Sequence, residues 1–427
     1  MLKEYLSSLD QQFESQDEPE QEWLQSLKLE AFNTLREIGF PVARKGNEKW
    51  KYTNVSPIVN NVFLLSKPKT VNIDEIKKQA PWSDDWYNII FIDGFIDKNL
   101  SNFPDSGISI SSLDLSKNGV GDLIDFSDDG FAALNSAFVS DGLILSIEES
   151  FDTNSVLNII FYSSGTTLEF NNPRLHITAQ EKSSSVIIES YVGGSNQTTF
   201  TNSVTEIELK ASAKMIHYRL MSESNNTYNV GYGRVRLCDD SEFSSSSFFR
   251  GANIGRYDLN VLVDGERSHC DLKGLYVTSD EQHMDNFINI DHAQPNSSSN
   301  LFYKGILSGK SKAVFGGTVL VRKEAQKTFS VQSDKNLILS DQAEVDSKPA
   351  LFIYADDVQC AHGATAGNID EDSVFYMRSR GIDLETASKL LIFGFADEII
   401  SSVEEFELRN FIEQKFLQAL PNYKFEF

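Results

Sequence analysis

Near the amino terminus, apolar residues recur every three or four positions, as expected for one buried face of a helix. Within residues 19–38 these positions are Leu24, Leu27, Ala31, Leu35 and Ile38. Gly39 suits a left-handed C-cap, because glycine adopts positive φ without a steric penalty. Pro41 then blocks continuation of the helix. The pattern predicts an amphipathic helix that ends at Gly39.

Two apolar runs and one compact apolar segment follow. Residues 89–96 and 108–115 are separated by Gly, Asp and Pro, which favours two strands. Residues 132–138 favour a short helix. Together these segments predict a small α/β region at the start of the chain.

The pattern of apolar and polar residues changes in residues 143–365. Short runs of β-branched and aromatic residues alternate there with clusters of Ser, Asn, Asp and Gly, as in strands joined by turns. Examples are residues 185–191, 214–220, 318–321 and 336–339. So many strands fit either a large sandwich or barrel or a stacked solenoid. No strict repeat is visible, so the pattern leaves that choice open.

Helical periodicity returns after Gly367. Asp383 is a suitable N-cap for one helix, and Ser402 with Glu405 forms a capping box for another. The apolar positions are Leu384, Ala387, Leu391 and Phe395 in the first helix, and Leu408, Phe411, Ile412, Phe416 and Ala419 in the second. Such helices can cover the β body or present a groove to a partner. The pattern favours the covering role.

The charge balance argues against nucleic-acid binding. The 427 residues include 38 basic and 62 acidic side chains, a formal charge of −24, whereas nucleic-acid-binding proteins carry basic patches. Cys238, Cys270 and Cys360 are odd in number and far apart, so we expect no disulfide scaffold. The sequence lacks an apolar signal-peptide core and any run approaching the roughly 18 apolar residues of a membrane span. These features predict a cytoplasmic protein without a membrane partner.

Candidate chemistry centres on the segment Cys-Ala-His-Gly-Ala-Thr-Ala-Gly at residues 360–367. On an extended chain, Cys360 and His362 point to the same face, because strand side chains alternate. A soft metal or an Fe-S fragment could be bound by both. Taken alone, the pair has a commoner explanation, since free cysteine is usually a small buried hydrophobe.

A second-choice metal site comprises His283, Asp285 and Asp291, which have the same parity on a strand. The solvated face of an exposed strand is the commoner explanation for such residues. Residues 305–311 resemble a P-loop but are one residue short and have no following helix, which predicts a β-turn. The sequence contains no nucleophile elbow, zinc-protease or dinucleotide-binding motif. Catalysis by the chain alone therefore has little support.

Several blocks along the chain match one family in the same order. Those near the start are Gly-Phe-Pro at 39–41 and Glu-Lys-Trp-Lys-Tyr-Thr at 48–53. The later blocks are residues 283–295, 303–307, 331–340, 348–351, 356–365, 376–382 and 387–395. Together they resemble the SufB/SufD family of Fe-S cluster assembly scaffold proteins. The Trp-Lys-Tyr-Thr block and the lack of a cysteine-rich amino-terminal motif favour the SufD side of this family.

The resemblance implies a mainly β fold, namely a right-handed parallel β-helix flanked by an N-terminal α/β region and C-terminal helices. The expected divisions are an N-terminal helical and mixed region at 1–140, a β-helix core at 141–368 and a helical docking domain at 369–427. This implication selects the solenoid from the architectures that the pattern left open.

The resemblance also implies a non-enzymatic scaffold subunit of the SUF system. Its implied partners are SufB, at the end of the β-helix, and the ATPase SufC, at the C-terminal helices. A homodimer in the absence of SufB is left open. Cys360 and His362 would share a transient Fe-S cluster or iron with SufB, and the isolated chain would bind no cofactor tightly. The implied SufC-docking residues are Gly381, Ile382, Leu384, Ala387, Leu391 and Phe395.

Three alternatives are left open, of which one belongs to the same family and two are enzymes of other classes. The chain could be a SufB-type paralogue, or a β-solenoid enzyme that acts on polysaccharide through an acidic cleft. The polysaccharide enzyme is disfavoured because the cysteine pattern indicates a reducing compartment and the sequence has no signal peptide. It is also disfavoured by the lack of a clustered carboxylate motif. A metal-dependent enzyme that uses His283, Asp285 and Asp291 is the third alternative, and stoichiometric metal in the purified protein would distinguish it.

Overall fold

The computed structural model describes residues 2–16, 21–44, 46–113, 119–165, 168–194 and 197–419. Its helices are α1 (Leu2–Glu14), α2 (Glu22–Ile38), α3 (Ser56–Val59), α4 (Ile73–Gln79), α5 (Gly130–Ala137), α6 (Glu371–Ser379), α7 (Leu384–Ile400) and α8 (Phe406–Ala419). The strands before the regular repeat are β1 (Leu64–Leu65), β2 (Tyr87–Ile92), β3 (Phe95–Ile96), β4 (Ile108–Ser112), β5 (Gly142–Ile147), β6 (Val156–Ser163), β7 (Glu169–Asn171) and β8 (Arg174–Ala179). The repeating strands are β9 (Ser184–Gly193), β10 (Thr199–Leu209), β11 (Lys214–Glu223), β12 (Tyr228–Leu237), β13 (Glu242–Gly251), β14 (Ile254–Val263), β15 (His269–Thr278), β16 (His283–His292), β17 (Ser298–Leu307), β18 (Lys312–Val321), β19 (Phe329–Ile338), β20 (Glu344–Ile353) and β21 (Gln359–Gly367).

The strands form a β-solenoid of about seven turns. From β8 onward, successive strands join two sheets alternately, and each pairs in parallel with the strand two places further along the chain. One sheet of eleven strands runs β20-β18-β16-β14-β12-β10-β8-β5-β4, with β7 also paired to β10 and β1 paired to β7. The other sheet, of ten strands, runs β21-β19-β17-β15-β13-β11-β9-β6-β2-β3. Paired residues in neighbouring strands of one sheet are therefore separated by one coil of the chain. For example, Ile254 of β14 lies beside His283 of β16, and His283 lies beside Lys312 of β18. The predicted mainly β solenoid is therefore confirmed.

The main core fills the space between the two sheets. Strand alternation sends every second side chain inward, and the inward positions carry buried residues such as Leu259, Val261 and Ile288. Successive coils turn at an equivalent corner, and at this corner each coil has a non-glycine residue with φ between 57° and 61°. These corner residues are Lys182, Ser212, Asp240, Arg267, Asn296 and Lys327. Because six corners use five residue types, the structural repeat leaves no sequence repeat.

Helices α1, α2, α3 and α5 pack on the outside of the eleven-stranded sheet, whereas α4 packs on the ten-stranded sheet beside Ile160 and Val192. The helix that the sequence predicted is α2, which ends at Gly39 with a φ of 66° as expected. Ile38 was wrongly placed on its buried face, because its side chain is 40 % exposed. The sequence did not predict α1. Its residues Tyr5 and Leu9 are buried in one hydrophobic cluster with Phe32 of α2. Pro19, the start of the predicted helix, lies outside the described residues.

For the remaining N-terminal predictions, the type of each element agrees with the structure, but the predicted bounds differ from the observed ones. Residues 89–96 form two strands, β2 and β3, because Asp93 and Gly94 turn the chain at positive φ. The second predicted strand is β4, and Leu115 at its expected end lies outside the described residues. The predicted short helix is α5, where Asp129 caps the amino end.

The C-terminal helices cover the outer face of the ten-stranded sheet. Apolar residues of α7 and α8, including Ile392 and Ile412, join a buried cluster with Ile188 and Leu220 of the solenoid. This packing agrees with the covering role that the pattern favoured. Residues 420–427, which complete the predicted C-terminal domain, lie outside the described residues. No described helix has the length and apolar character that crossing a membrane requires.

The caps of the C-terminal helices were predicted with mixed success. Asp383 caps α7 by accepting a hydrogen bond from the Thr386 backbone, as expected. The capping box at Ser402 and Glu405 was wrong, because α8 begins only at Phe406. The Ser402 hydroxyl instead donates to the backbone oxygen of Ile399 at 2.7 Å, which closes the end of α7.

Candidate functional site

The solenoid ends at two strand edges that no further coil covers. Among the described residues, β20 pairs only with β18 and β21 pairs only with β19. Nearly all of β21 is exposed to solvent. Unpaired backbone groups along a strand edge can hydrogen-bond to an added strand. This end of the molecule can therefore accept a second polypeptide.

Cys360 and His362 lie on β21 at this open end. Cys360 stands beside Ser330 of β19, and His362 stands beside Gln332. The Cys360 side chain is partly buried against the core between the sheets, whereas His362 is exposed. Because alternate strand residues share a face, His362 follows Cys360 on the same side of the strand. The thiol and the imidazole thus stand at the mouth of the last coil.

The environment of the Cys360 thiol limits how Cys360 and His362 could bind a metal without a partner chain. Burial raises the pKa of the Cys360 thiol, and a backbone hydrogen bond from Ser330 opposes this rise. A metal must therefore displace a proton when it binds this sulfur. Within the described residues, no group of three or more His, Cys, Asp or Glu side chains is placed to hold a metal ion. Cys360 and His362 consequently supply at most two donors of a tetrahedral site.

A column of hydrogen-bonded side chains lies behind Cys360. The Oγ atoms of Ser330 and Ser299 are 2.8 Å apart, and Ser299 Oγ is 2.9 Å from Nε2 of His292. Nδ1 of His292 is 2.8 Å from Ser297 Oγ. Burial lowers the pKa of His292 to about 4. The imidazole is therefore neutral near pH 7, and the column places no charge beside the thiol.

Asp334 adds a second buried polar group near the same end. It stands beside Ala364 of β21, and one carboxylate oxygen accepts hydrogen bonds from Ser347 and Asn336, each at 2.7 Å. Burial raises the pKa of Asp334 to about 6. Because this pKa still lies below 7, Asp334 is largely ionised near neutral pH and places a buried negative charge beneath the open end.

The second-choice metal residues on β16 are His283, Asp285 and Asp291. Arg256 pairs with Asp285, whose carboxylate also accepts a hydrogen bond from Thr53. The same Thr53 hydroxyl lies 3.0 Å from Nε2 of His283. Arg322 pairs with Asp291 at 2.6 Å. The metal role of these residues stays a prediction, and contacts that occupy all three do not favour it.

Thr53 belongs to a contact that joins the N-terminal region to the solenoid. Lys49 lies 2.9 Å from Asp129 and 3.7 Å from Asp258 of β14. The ring of Trp50 stacks on the Arg256 guanidinium, 4.0 Å from its central carbon. The Glu-Lys-Trp-Lys-Tyr-Thr block thus acts in the fold as a connection between two parts of the chain.

The predicted partner-docking residues near α7 differ in exposure. Gly381 is exposed and Ile382 is half-buried, while Leu384, Leu391 and Phe395 are partly buried against the solenoid. Ala387 is fully buried. The most exposed apolar residues of α6 and α7 are instead Phe375, Tyr376 and Leu390. The docking role stays a prediction, and Ala387 can contribute only by positioning α7.

The remaining motifs have structural roles. The P-loop-like segment enters a turn at residues 308–311 between β17 and β18, with Gly309 at a φ of 67°, which confirms the predicted turn. Cys270 is buried in the core, and Cys238 lies in a partly buried position without a disulfide. Neither cysteine belongs to a described cluster of metal-binding side chains.

One buried polar network was not predicted from the sequence. Glu189, His217 and Arg219 project between the sheets, where the histidine and the arginine both contact the Glu189 carboxylate. The sequence contained one signal for this network, namely the alternation of side chains along β11. His217 and Arg219 occupy the same alternate positions as Met215 and Met221, which point into the core. A charged residue at an inward position of a buried strand predicts a partner on a neighbouring coil.

The fold and the open end define a class of protein, a β-solenoid with a thiol and an imidazole side by side at an uncovered end. Comparison with known protein families agrees with this description. The SufBD core domain of SUF system FeS cluster assembly matches residues 161–395, and the N-terminal region of SufBD proteins matches residues 1–159. The chain therefore belongs to the SufBD family of Fe-S cluster assembly proteins.

Individual relatives support the same assignment. The chain is 28 % identical over 392 residues to the iron-sulfur cluster assembly protein SufD of Escherichia coli strain K12, covering 91 % of both chains. It is 31 % identical over 404 residues to the chloroplastic protein ABCI7 of Arabidopsis thaliana, covering 91 % of this chain and 84 % of the plant protein. SufD of Bacillus subtilis strain 168 is 25 % identical over 94 % of both chains. The resemblance to SufD is confirmed, and it is favoured over the polysaccharide-acting alternative.

Proposed function

We propose that this chain is the SufD-type scaffold subunit of a SUF complex, in which SufB and the ATPase SufC are its partners. The observation that carries the proposal is the open end, where Cys360 and His362 form an incomplete ligand pair beside unpaired strands. A solenoid of the same kind, docked edge to edge, would add the missing donors. The nascent Fe-S cluster is the cargo of this shared site, and catalysis of ATP hydrolysis belongs to SufC.

The strand edges support SufB as the occupant of the open end. An added strand gains backbone hydrogen bonds along β20 or β21. Phe352 of β20 and Tyr354, which follows the strand, are more than half exposed, at 52 % and 64 %. Exposed aromatic residues of this kind are common anchors of protein interfaces. Without SufB, the same edges could pair two copies of this chain.

The C-terminal helices support a separate docking site for SufC. Phe375 and Tyr376 of α6 are 74 % and 60 % exposed, while the opposite side of the helical region is buried on the solenoid. Removing the whole tail would uncover that buried cluster. Point substitutions on α6 therefore test docking more cleanly than truncation does.

We expect Cys360→Ala and His362→Ala to lower cluster formation by roughly tenfold or more, because ligand loss weakens metal binding at least as much as loss of a supporting residue does. Both variants should still co-purify with SufB and SufC. The measurement is the iron and acid-labile sulfide content of the reconstituted complex, together with its visible absorbance. Cys238→Ala and His269→Ala are the matched controls, because they remove the same groups elsewhere on the solenoid. Full cluster formation by both test variants would exclude the proposed ligand role.

Two aromatic double variants separate the two partners. Phe352→Ala with Tyr354→Ala should weaken SufB binding by about 2 kcal/mol, or about thirtyfold in Kd, and leave SufC binding unchanged. Phe375→Ala with Tyr376→Ala should have the opposite selectivity. Binding of each purified partner by calorimetry measures both effects, so each variant is the control for the other. Equal effects of one variant on both partners would contradict separate docking sites.

A further inference from the structure

A polar cleft lies between the ten-stranded sheet and helix α8, away from the open end. Its volume is about 410 Å³. Arg250 of β13 contributes to one wall, and Lys415 of α8 contributes to another. Ser222 of β11 lies beside Arg250 in the sheet register, so their side chains share the outer face. The cleft therefore combines groups from the solenoid and from the C-terminal helices.

The two cations in this cleft lack an anionic partner. Among the described residues, neither Arg250 nor Lys415 forms an ion pair with a carboxylate. Within the described part of the chain, the Lys415 ammonium donates to the backbone oxygen of Lys78 at 3.5 Å and lies 5.2 Å from the ring centre of Phe411. Burial lowers the pKa of both groups, and the charge of Arg250 lowers the pKa of Lys415 further. Two partly buried cations that line one cleft are unfavourable unless an anion joins them.

The one carboxyl group among the lining residues does not supply that anion. Glu223 lies at the inward parity of β11 and accepts hydrogen bonds from Thr201 at 2.8 Å and from Asn229 at 2.6 Å. Both donors belong to strands of the opposite sheet. Burial raises the pKa of Glu223 to about 7. This carboxyl group faces the interior and is partly protonated near neutral pH.

The other lining groups suit a small oxyanion. The side chains of Ser222, Asn225, Ser279, Gln282 and Gln418 are neutral and polar. A guanidinium presents a planar fork to oxyanions, and an ammonium adds a point charge. Elsewhere the chain carries an excess of acidic residues, with a net charge of −24. A site with two unpaired cations is therefore a specific local feature and not part of a general basic surface.

We propose that this cleft binds a phosphate group, either as inorganic phosphate or as a small phosphate monoester, between Arg250 and Lys415. A bound dianion compensates both cations and joins α8 to the solenoid. The proposal is independent of the cluster-assembly role, since the cleft shares no residue with β21.

The test is a titration of the full chain with inorganic phosphate and, separately, with glycerol 3-phosphate, against sodium chloride of equal ionic strength. We expect a saturable rise in Tm with at least one phosphate compound and not with chloride, because ligand binding to the native state stabilises it. Binding of inorganic phosphate alone would identify the free ion, and tighter binding of glycerol 3-phosphate would identify an ester. Hydrogen exchange should slow in α8 on binding, because Lys415 is held to the solenoid.

Arg250→Gln combined with Lys415→Gln should weaken phosphate binding by about tenfold or more, since charge-assisted hydrogen bonds are lost from both cations. The same double variant should have an unchanged or higher Tm without phosphate, because it removes uncompensated charges. Lys182→Gln combined with Lys323→Gln is the matched control, as it removes two exposed cations far from the cleft. The single variant Arg250→Lys keeps the charge but loses the planar fork and should bind with intermediate affinity. Absence of a phosphate-specific effect in the wild-type chain, or equal losses in the test and control variants, would overturn the proposal.

Discussion

Replacing Arg219 by Met is expected to lower the free energy of unfolding by about 3–5 kcal/mol, because it leaves a buried carboxylate without its cation. Arg219 pairs with Glu189 between the sheets, and both side chains are almost fully buried. The guanidinium also lies 4.3 Å from the ring centre of Tyr191 and 4.4 Å from that of Tyr257. Methionine fills a similar length but cannot compensate the charge. Urea unfolding of both proteins at pH 7 measures the difference.

The pH dependence of this loss identifies its cause. Despite burial, the charges and hydrogen bonds of Arg219, His217 and Tyr191 lower the pKa of Glu189 to about 2. In the wild-type protein this carboxylate contributes stability above its unfolded pKa of about 4.5, and that stability is lost as the pH falls toward 2. Without Arg219, burial raises the pKa of Glu189, so the variant loses stability as the pH rises. The deficit of the variant should therefore be largest near pH 7 and smaller near pH 4.

Arg322→Met is the matched control for this prediction. Arg322 pairs with Asp291 at 2.6 Å, but its side chain is 52 % exposed. Solvent screens such a pair, so we expect a loss of no more than about 1 kcal/mol. A similar loss in both variants, or a deficit in the Arg219 variant that does not change with pH, would contradict the argument from buried charge.

Trp50→Ala should also lower the free energy of unfolding by about 3–5 kcal/mol, because it removes a large buried ring and leaves a cavity. Trp50 is 2 % exposed. Its ring covers the Arg256 guanidinium and lies 5.5 Å from the ring of Phe131. The loss should appear in urea unfolding, together with faster hydrogen exchange in α5, which carries Phe131.

Trp82→Ala is the control for the loss of a tryptophan. Trp82 is only partly buried, and its Nε1 donates to Asp84 at 2.8 Å. Its replacement should cost much less than that of Trp50, because solvent already reaches the ring. If both variants lost the same stability, the N-terminal block would not serve as the connection described above.

The expected effects separate stability from assembly. Arg219 stabilises the interior of the solenoid and Trp50 joins the N-terminal region to it. By contrast, Cys360 is only partly buried and His362 is exposed. The open end can therefore be changed chemically without unfolding the rest of the chain.

Local patterns along the sequence predicted the elements with strong periodicity. The apolar stripe of α2, the cap at Asp383 and the strand-and-turn texture of residues 143–365 all depend on neighbouring residues. The resemblance to a known family then selected the solenoid, which the pattern alone had left open. Weaker local signals failed, as at the capping box of Ser402, where the hydroxyl bonds to the preceding helix.

The tertiary structure alone decided which distant residues meet. The corners of the solenoid repeat at similar φ values with different residue types, so no sequence repeat marks the coils. Glu189 meets Arg219, Thr53 meets Asp285 and Arg250 shares a cleft with Lys415 only because the coils and helices stack. By itself, the sequence determined strands, turns and a thiol beside an imidazole on one strand face, because these depend on neighbouring residues. Stacking decided that this strand is the last of the solenoid, which leaves Cys360 and His362 at an uncovered end.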